Sequence, residues 1–326
     1  MADVRALDDA LPAADGMRAA DALPLVPAGT PDETAALLRE PGGATAARGS
    51  GRAPPLKRLL RRPSAAIGLA VIAFFVVVAL LAPLIAPYDP LATSWSAIRK
   101  APSAAHWFGT DEIGRDVASR VVFGARASLL AGVVSVLISL SIGVPVGLAA
   151  GYAGGKTDML ISRMTDALLA CPFLILAIAL AAFLGPSLTN AMIAIGISAT
   201  PVFIRLARGQ TLAVKAEDFV LAARAIGNSP LRIAWRHVLP NILPALIVQS
   251  TLAIAAAVIA EASLSFLGLG QQPPAPSWGS MLNTAKNFLD QAPWMAIWPG
   301  LSIFALVLSF NLVGDGLRDA LDPRQA

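Results

Sequence analysis

Residues 64–86 read SAAIGLAVIAFFVVVALLAPLIA, a run of 23 residues without a charged side chain. About 20 apolar residues cross the hydrocarbon core of a bilayer as a helix, so this run predicts a transmembrane helix. The basic cluster KRLLRR at residues 57–62 precedes it, and the segment PYDP at residues 87–90 follows it. Because basic residues are enriched in cytoplasmic flanks, we expect the helix to start on the cytoplasmic side.

Further uncharged runs repeat this pattern along the chain. They cover residues 127–152, 167–204, 242–260 and 294–313. The run at 167–204 is too long for one span and contains the sequence LGPS at residues 184–187, which predicts a tight external turn. Residues 154–163 are expected to form a short cytoplasmic loop. The pattern therefore predicts an all-α polytopic membrane protein with six transmembrane helices and both termini in the cytoplasm.

The composition agrees with a membrane protein. Hydrophobic residues make up 56% of the chain and charged residues 14%, whereas soluble domains are about 25% charged. The formal net charge of +4 forms no basic stripe, which argues against nucleic-acid binding. Cys171 is the only cysteine, so an intramolecular disulfide is excluded. His106 and His237 fall in different loops, and no zinc site is expected from them.

Three segments are expected. Residues 1–55 are rich in Ala, Gly and Pro with scattered acids, and are interpreted as a disordered cytoplasmic tail. Residues 56–126 would hold the first transmembrane helix and an external segment. Residues 127–326 would form a five-helix core with a cytoplasmic loop at 213–241.

Three glycines recur at four-residue spacing in the second span, at Gly143, Gly147 and Gly151. Small residues on one helical face let helix backbones approach closely in a bilayer. These glycines therefore predict a helix–helix contact.

The cytoplasmic loop is expected to contain two short helices joined by a corner. Glu217 and Asp218 favour a helix start, and Gly227 suits the left-handed residue that ends a helix. Ser229 suits an N-cap, with Pro230 at the first position of the next helix.

The first of these helices carries an apolar face. Phe219, Ala222, Ala223 and Ile226 share that face by their spacing, and Lys215 and Arg224 flank it. The face could fit a groove on a partner protein, or it could pack on the ends of the protein's own helices. The spacing leaves both interpretations open.

The loop resembles the coupling loop of ABC importer permeases, which reads E-A-A, three residues, Gly, nine residues, and I-x-L-P. Ala222, Ala223 and Gly227 match its first part, and Leu239 and Pro240 match its end. Leu221 stands in place of the Glu and His237 in place of the Ile. Both departures agree with the peptide-importer branch, where A-A-R-A-x-G and R-H-x-L-P-N are usual.

Other segments resemble the same branch. They are FGTDEIGRD at residues 108–116, SLSFLGLG at 263–270, PSWG at 276–279, DGLRD at 315–319 and LDPR at 321–324. Together the similarity covers residues 57–324. It is to the second (C-type) permease of dipeptide, oligopeptide, nickel and glutathione importers.

The resemblance implies a type I ABC importer permease in a bacterial inner membrane. It would pair with a homologous first permease subunit, two cytoplasmic ATPase subunits and a periplasmic or lipid-anchored substrate-binding protein. This chain would bind no cofactor and catalyse nothing, since ATP and Mg²⁺ would sit on the ATPases. The residues expected to couple to the ATPase are Glu217, Asp218, Phe219, Leu221, Ala222, Ala223, Arg224, Gly227, Ser229, Pro230, His237, Leu239 and Pro240.

Two other patterns are interpreted as structural. The sequence GGKT at residues 154–157 resembles the end of a phosphate-binding loop, but Ala150 stands where that motif needs Gly. Asp111, Glu112 and Asp116 could be imagined as a metal site. A helix start is the favoured interpretation of these acids, with Thr110 as its N-cap, and no metal is expected.

Polar residues at or near membrane depth are candidates for a pathway or gate. Asp166 lies at the cytoplasmic lip of the third span, where pairing with Arg163 is the alternative. Glu261 lies near the external end of the fifth span, where a structural role is the alternative. Asn190 and Gln249 are weaker candidates of the same kind.

Two other classes of function compete with the importer. An ion-gradient-driven secondary transporter would show internal repeats and acids near the midplane of the membrane, and neither is evident. A non-transporting membrane scaffold would need neither the glycine face nor the capped loop.

Overall fold

A computed structural model describes residues 59–60 and 62–321. The predicted tail at residues 1–55 and most of the LDPR segment lie outside the described residues. The helices are α1 (Pro63–Leu80), α2 (Ala82–Ile85), α3 (Val117–Ala153), α4 (Gly155–Leu169), α5 (Phe173–Leu184), α6 (Leu188–Lys215), α7 (Asp218–Ala225), α8 (Pro230–Ile233), α9 (Leu239–Phe266), α10 (Trp278–Ala285) and α11 (Trp294–Leu321). A 3₁₀ turn lies at Trp95–Ala97, and a π-helical turn at Ala234–Val238 joins α8 to α9. No strand occurs in the described part of the chain.

The described residues contain five helical stretches that are long and apolar enough to cross a membrane: α1, α3, α6, α8 continued into α9, and α11. The pair α4 and α5 also passes the test when taken together, although the two helices meet at 88°. If this bent pair is counted as one span, the chain has the six predicted spans.

The structure differs here from the sequence prediction, which placed a short loop at residues 154–163 and a membrane span starting at residue 167. Gly154, with φ 67°, caps the end of α3, and Gly155, with φ 56°, is already the first residue of α4. The straight part of the third span begins only at Phe173. Pro172 explains the break, because it lacks an N–H and disfavours helical backbone in the residue before it.

The glycines of α3 face α6. A Cβ atom built on Gly143 would lie 2.7 Å from the Cβ of Phe203, and one on Gly147 would lie 2.5 Å from the carbonyl oxygen of Ile204. One on Gly151 would lie 2.8 Å from the carbonyl oxygen of Arg208. The two helix backbones are therefore in direct contact along the stripe that the spacing predicted.

One cluster of buried hydrophobic residues surrounds Trp278 of α10. This side chain is fully buried, and its indole N–H donates to the carbonyl of Val121 in α3 at 2.9 Å. Phe75 of α1 meets its ring edge-on at 5.4 Å. The segment between α9 and α11 is thus anchored to the bundle by a buried aromatic residue.

Candidate functional site

The loop between α6 and α9 folds as two helices and a corner. α7 starts at Asp218 after Glu217 and ends at Ala225. Gly227 follows with φ +82°, and its N–H donates to the carbonyl of Arg224 at 3.0 Å. This is the left-handed conformation that glycine adopts at low cost. The corner therefore depends on glycine at this position.

The second helix of the loop starts with the predicted cap. The hydroxyl of Ser229 accepts from the N–H of Arg232 at 3.4 Å, and Pro230 occupies the first helical position. The π-helical turn then passes without a break into α9. π-helical turns are rare and are often found at functional sites. His237 lies in this turn and is half-buried.

The predicted apolar face divides between the inside and the outside of the protein. Ala223 turns inward with Val220, and both are buried. Phe219, Ala222 and Ile226 remain outside, and the side chain of Ile226 is 81% exposed. One edge of α7 thus packs on the protein itself, and the other edge stays exposed.

Two further apolar side chains of the loop are also exposed. Leu231 is 70% exposed and Trp235 is 52% exposed. We call Phe219, Ala222, Ile226, Leu231 and Trp235 the outer face. Sequence reasoning missed Leu231 and Trp235, although their spacing of four residues in a helical segment would have indicated a shared side.

The loop is firmly held at its start. The ammonium group of Lys215, the last residue of α6, donates to the carbonyl of Tyr152 at the end of α3 at 2.6 Å. The same group lies 5.3 Å from the centre of the Tyr152 ring. The base of the loop is therefore tied to the close-packed α3–α6 pair.

Ion pairs join α4 to α6 near the same end of the bundle. Asp158 accepts two hydrogen bonds from the guanidinium of Arg208, one of them at 2.8 Å. Asp166 pairs with Arg205 at 2.7 Å. The expected alternative partner of Asp166, Arg163, is not the residue that it contacts. Since α4 folds back beside α6, Arg205 comes within reach instead.

Glu261 and Asn190 have local hydrogen-bond partners. Glu261 is fully buried, and its carboxylate accepts from the hydroxyls of Ser128 at 3.0 Å and Ser265 at 2.7 Å. Asn190 donates to the carbonyls of Leu184 and Gly185, at 2.8 and 3.0 Å, and so closes the turn before α6. Both contacts are of the kind that stabilises a fold.

The external acids are engaged with basic residues and with a helix end. Asp111 pairs with Arg115 at 2.6 Å, and Arg115 also pairs with Glu112 at 2.7 Å. The N-cap of α3 is Asp116, which accepts from the N–H of Ser119 at 2.8 Å. The predicted N-cap, Thr110, is wrong because the helix starts six residues later and the Thr110 hydroxyl bonds to the carbonyl of Ala97.

Metal ligation finds no support in this cluster. The described residues contain no group of three His, Cys, Asp or Glu side chains placed to hold a metal ion. The carboxylate of Asp116 contacts His106 at 2.9 Å, so it too has a protein partner.

The acidic cluster leads to a pH-dependent prediction. Burial, together with the neighbouring Asp111 carboxylate, raises the pKa of Glu112 above its usual value of 4.5. A raised pKa in the folded state means that stability is lost as the pH rises through that pKa. The variant Glu112→Gln should therefore raise the thermal unfolding midpoint at pH 7.5 by about 1–2 °C, and the gain should vanish at pH 4.5.

The matched control for this measurement is Asp290→Asn, which removes an exposed carboxylate elsewhere in the external segments. It should leave the midpoint unchanged at both pH values. An equal shift of Glu112→Gln at pH 7.5 and pH 4.5 would contradict the assignment of a raised pKa.

Comparison with known proteins decides the family. The family described as the binding-protein-dependent transport system inner membrane component matches residues 143–326. The N-terminal transmembrane domain of oligopeptide transport permease C matches residues 56–102. The chain belongs to this family of transport permeases.

Characterised relatives cover most of the permease. The dipeptide transport system permease protein DppC of Alkalihalophilus pseudofirmus is 48% identical over 82% of this chain and 88% of its own length. The glutathione transport system permease protein GsiD of Shigella flexneri serotype 5b is 48% identical over 82% of this chain and 89% of its own length.

A solved structure shares the fold. The inward-facing MetNI methionine ABC transporter matches with a TM-score of 0.53 and 22% identity. The match covers 62% of this permease and 97% of the solved chain. The fold is therefore that of a type I ABC importer permease, as the sequence predicted.

The permease is a multi-pass inner-membrane component of an ATP-driven importer, and the comparisons support this class over an ion-gradient-driven secondary transporter. A permease component of this kind works in an assembly with permease and ATPase partners.

Proposed function

We propose that this chain is the second permease subunit of an importer of short peptides, and that the outer face of α7 and α8 binds a cytoplasmic ATPase subunit. The observation that carries the proposal is the exposed apolar surface on a capped, firmly held loop. Exposed apolar side chains in contiguous patches mark interaction sites. The names of the relatives, which refer to dipeptide and glutathione transport, support peptides as the substrate class.

The loop is built to transmit movement. Its inner side chains Val220 and Ala223 belong to the same buried core as Val238, just before α9. Force applied to the outer face would therefore reach both α6 and α9. Closure of the ATPases on ATP would shift these helices and switch the permease from inward-facing to outward-facing. ATP and Mg²⁺ would be held by the ATPases, and this chain would supply no catalytic group.

The complete assembly would contain one copy of this chain and one homologous first permease. Two ATPases would bind on the cytoplasmic side, and a periplasmic or lipid-anchored binding protein would deliver the peptide at the external segments. Both termini would lie in the cytoplasm, in agreement with the basic cluster before α1. In this arrangement Glu261, Asn190 and Asp166 act mainly in the fold, because each is engaged by a protein partner.

The proposal is tested by the double variant Phe219→Asp with Ile226→Asp. Placing two carboxylates in an apolar contact leaves buried charges without partners, and the amount of ATPase that co-purifies should fall about thirtyfold. Membrane insertion should be unchanged, because both side chains are exposed in the permease itself.

The matched control is Trp107→Asp, which places a charge on an exposed apolar side chain of the external segment. It should leave ATPase co-purification intact. Normal co-purification with the double variant would show that the outer face is not the docking surface. Failure of the intact permease to support uptake of any short peptide would refute the substrate class.

A further inference from the structure

Three adjoining cavities lie between α6 and α9, with volumes of about 280, 420 and 700 Å³. The first and second share Leu169 and Val202, and the second and third share Leu206 and Gln210. Gln249 of α9 lines all three. We call the three together the α6–α9 groove and the position of Gln249 its neck.

The groove opens at the end of the bundle that carries the coupling loop. Its third cavity reaches Asn241 at the start of α9 and Asp315 and Arg318 near the end of α11. The first cavity lies at the opposite side of the neck, against the α4–α5 bend, where Cys171 forms part of its wall. The described residues that line this first cavity include no charged side chain, but they include the hydroxyls of Ser135 and Ser198.

Gln249 stands out among the polar residues of α9. It lies ten residues after Leu239, which is about 15 Å along the helix and about a third of the way from its start to its end. The neighbouring hydroxyls of Ser250 and Thr251 bond to carbonyls of their own helix. Gln249 is half-buried, and within the part of the chain that the structure describes its amide has no hydrogen-bond partner.

An amide in such a position needs a partner from elsewhere. Because the half-buried Gln249 is open to the groove, its amide is matched there by water or by a ligand, which offsets the free-energy cost of a polar group without hydrogen bonds. A glutamine side chain presents one carbonyl acceptor and an NH₂ donor. A peptide bond presents the complementary pair, an N–H and a C=O.

We propose that the α6–α9 groove is the solute pathway through this subunit, and that Gln249 binds peptide-bond groups of the substrate as they pass the neck. The inference rests on the proposed function, because it takes short peptides as the solute. The uncharged first cavity accommodates apolar side chains, while the charged rim at Asp315 and Arg318 lies where the groove widens.

Cys171 provides a direct probe of the groove, since it is the only cysteine of the chain and lies beyond the neck. The whole importer complex is placed in inside-out membrane vesicles without ATP and treated with a charged, membrane-impermeant thiol reagent. Modification of Cys171 is then read by mass spectrometry of this chain. We expect modification, and several-fold slower modification in the presence of a mixture of di-, tri- and pentaalanine. The same treatment of the variant Cys171→Ala gives the background signal of the mass-spectrometric measurement.

Either of two labelling results would overturn the inference. If Cys171 is not modified from the cytoplasmic side, the groove does not open there. If it is modified at the same rate with saturating peptide, the groove does not hold the solute.

The neck is tested by Gln249→Leu, which keeps a similar volume and removes both hydrogen-bonding groups. Uptake of the same peptides at low concentration should fall about five- to tenfold, as expected for the loss of one or two hydrogen bonds. Ser250→Ala is the matched control, because it removes a polar group that bonds only within α9, and its uptake should be unchanged. Co-purification of the ATPases verifies that each variant assembles.

Unchanged uptake by Gln249→Leu would refute a role for the neck. Loss of the partner permease from the Gln249→Leu complex would also refute it, by showing that the amide serves a subunit contact. Both results are distinct from failure of the proposed function, in which the complex with the unaltered chain would itself import no peptide.

Discussion

The variant Gly147→Leu is expected to give almost no folded permease in the membrane. Even the first atom of a side chain at this position would lie 2.5 Å from the carbonyl oxygen of Ile204 and 2.8 Å from the Cβ of Ala207. Backbone atoms cannot move aside as the end of a flexible side chain can. Overpacking of this kind costs about 1–3 kcal/mol or more, which is a large part of the stability of a folded protein.

The matched control is Gly300→Ala in α11. A Cβ atom at Gly300 meets nothing within 4 Å, and alanine favours a helix over glycine by about 1 kcal/mol. The control should therefore accumulate at least as well as the unaltered permease. The measurement is the amount of monodisperse protein extracted in mild detergent. Equal recovery of Gly147→Leu would show that α3 and α6 are not in close contact.

The variant Gly227→Pro should insert normally and fail to transport. Proline fixes φ near −65°, whereas this residue has φ +82°, and proline also lacks the N–H that bonds to Arg224. The corner between α7 and α8 would open and the outer face would lose its shape. If proline destabilises the native corner by about 3 kcal/mol, the population of permease with that corner intact falls roughly hundredfold. Uptake by proteoliposomes, measured alongside ATP hydrolysis, separates coupling from assembly.

The control for the corner is Gly227→Asn, since asparagine tolerates the left-handed region better than other residues with a side chain. This variant should keep most of its transport. A Gly227→Pro permease with normal uptake would show that the corner plays no part in coupling.

The sequence predicted the parts of the fold that depend on local chemistry. Uncharged runs of sufficient length determine the spans, and the caps at Ser229 and Gly227 determine where the loop helices start and end. The bend between α4 and α5 was missed, because the hydrophobic run continues across Pro172 and conceals the change of direction. The N-cap of α3 was assigned to Thr110 and not to Asp116, because several polar residues of that segment could each serve as an N-cap.

The candidate site was only partly predictable. Spacing places Phe219, Ala223 and Ile226 on one face, but only packing decides which of them stays exposed. Gln249 was a weak candidate because a single amide in an apolar span has no sequence context. Its position at the meeting point of three cavities arises from the arrangement of α6 and α9, which a linear pattern does not contain.

The unbroken passage from α8 through the π-helical turn into α9 has a geometric consequence. Residues Pro230–Phe266 form one helical stretch of 37 residues, about 55 Å long. If one end of such a rod is tilted by about 5°, the far end swings by about 5 Å. The far end carries Glu261, which accepts a hydrogen bond from Ser128 of α3. A small rotation at the cytoplasmic surface is thereby magnified into a displacement on the opposite side of the membrane, with no hinge needed between them.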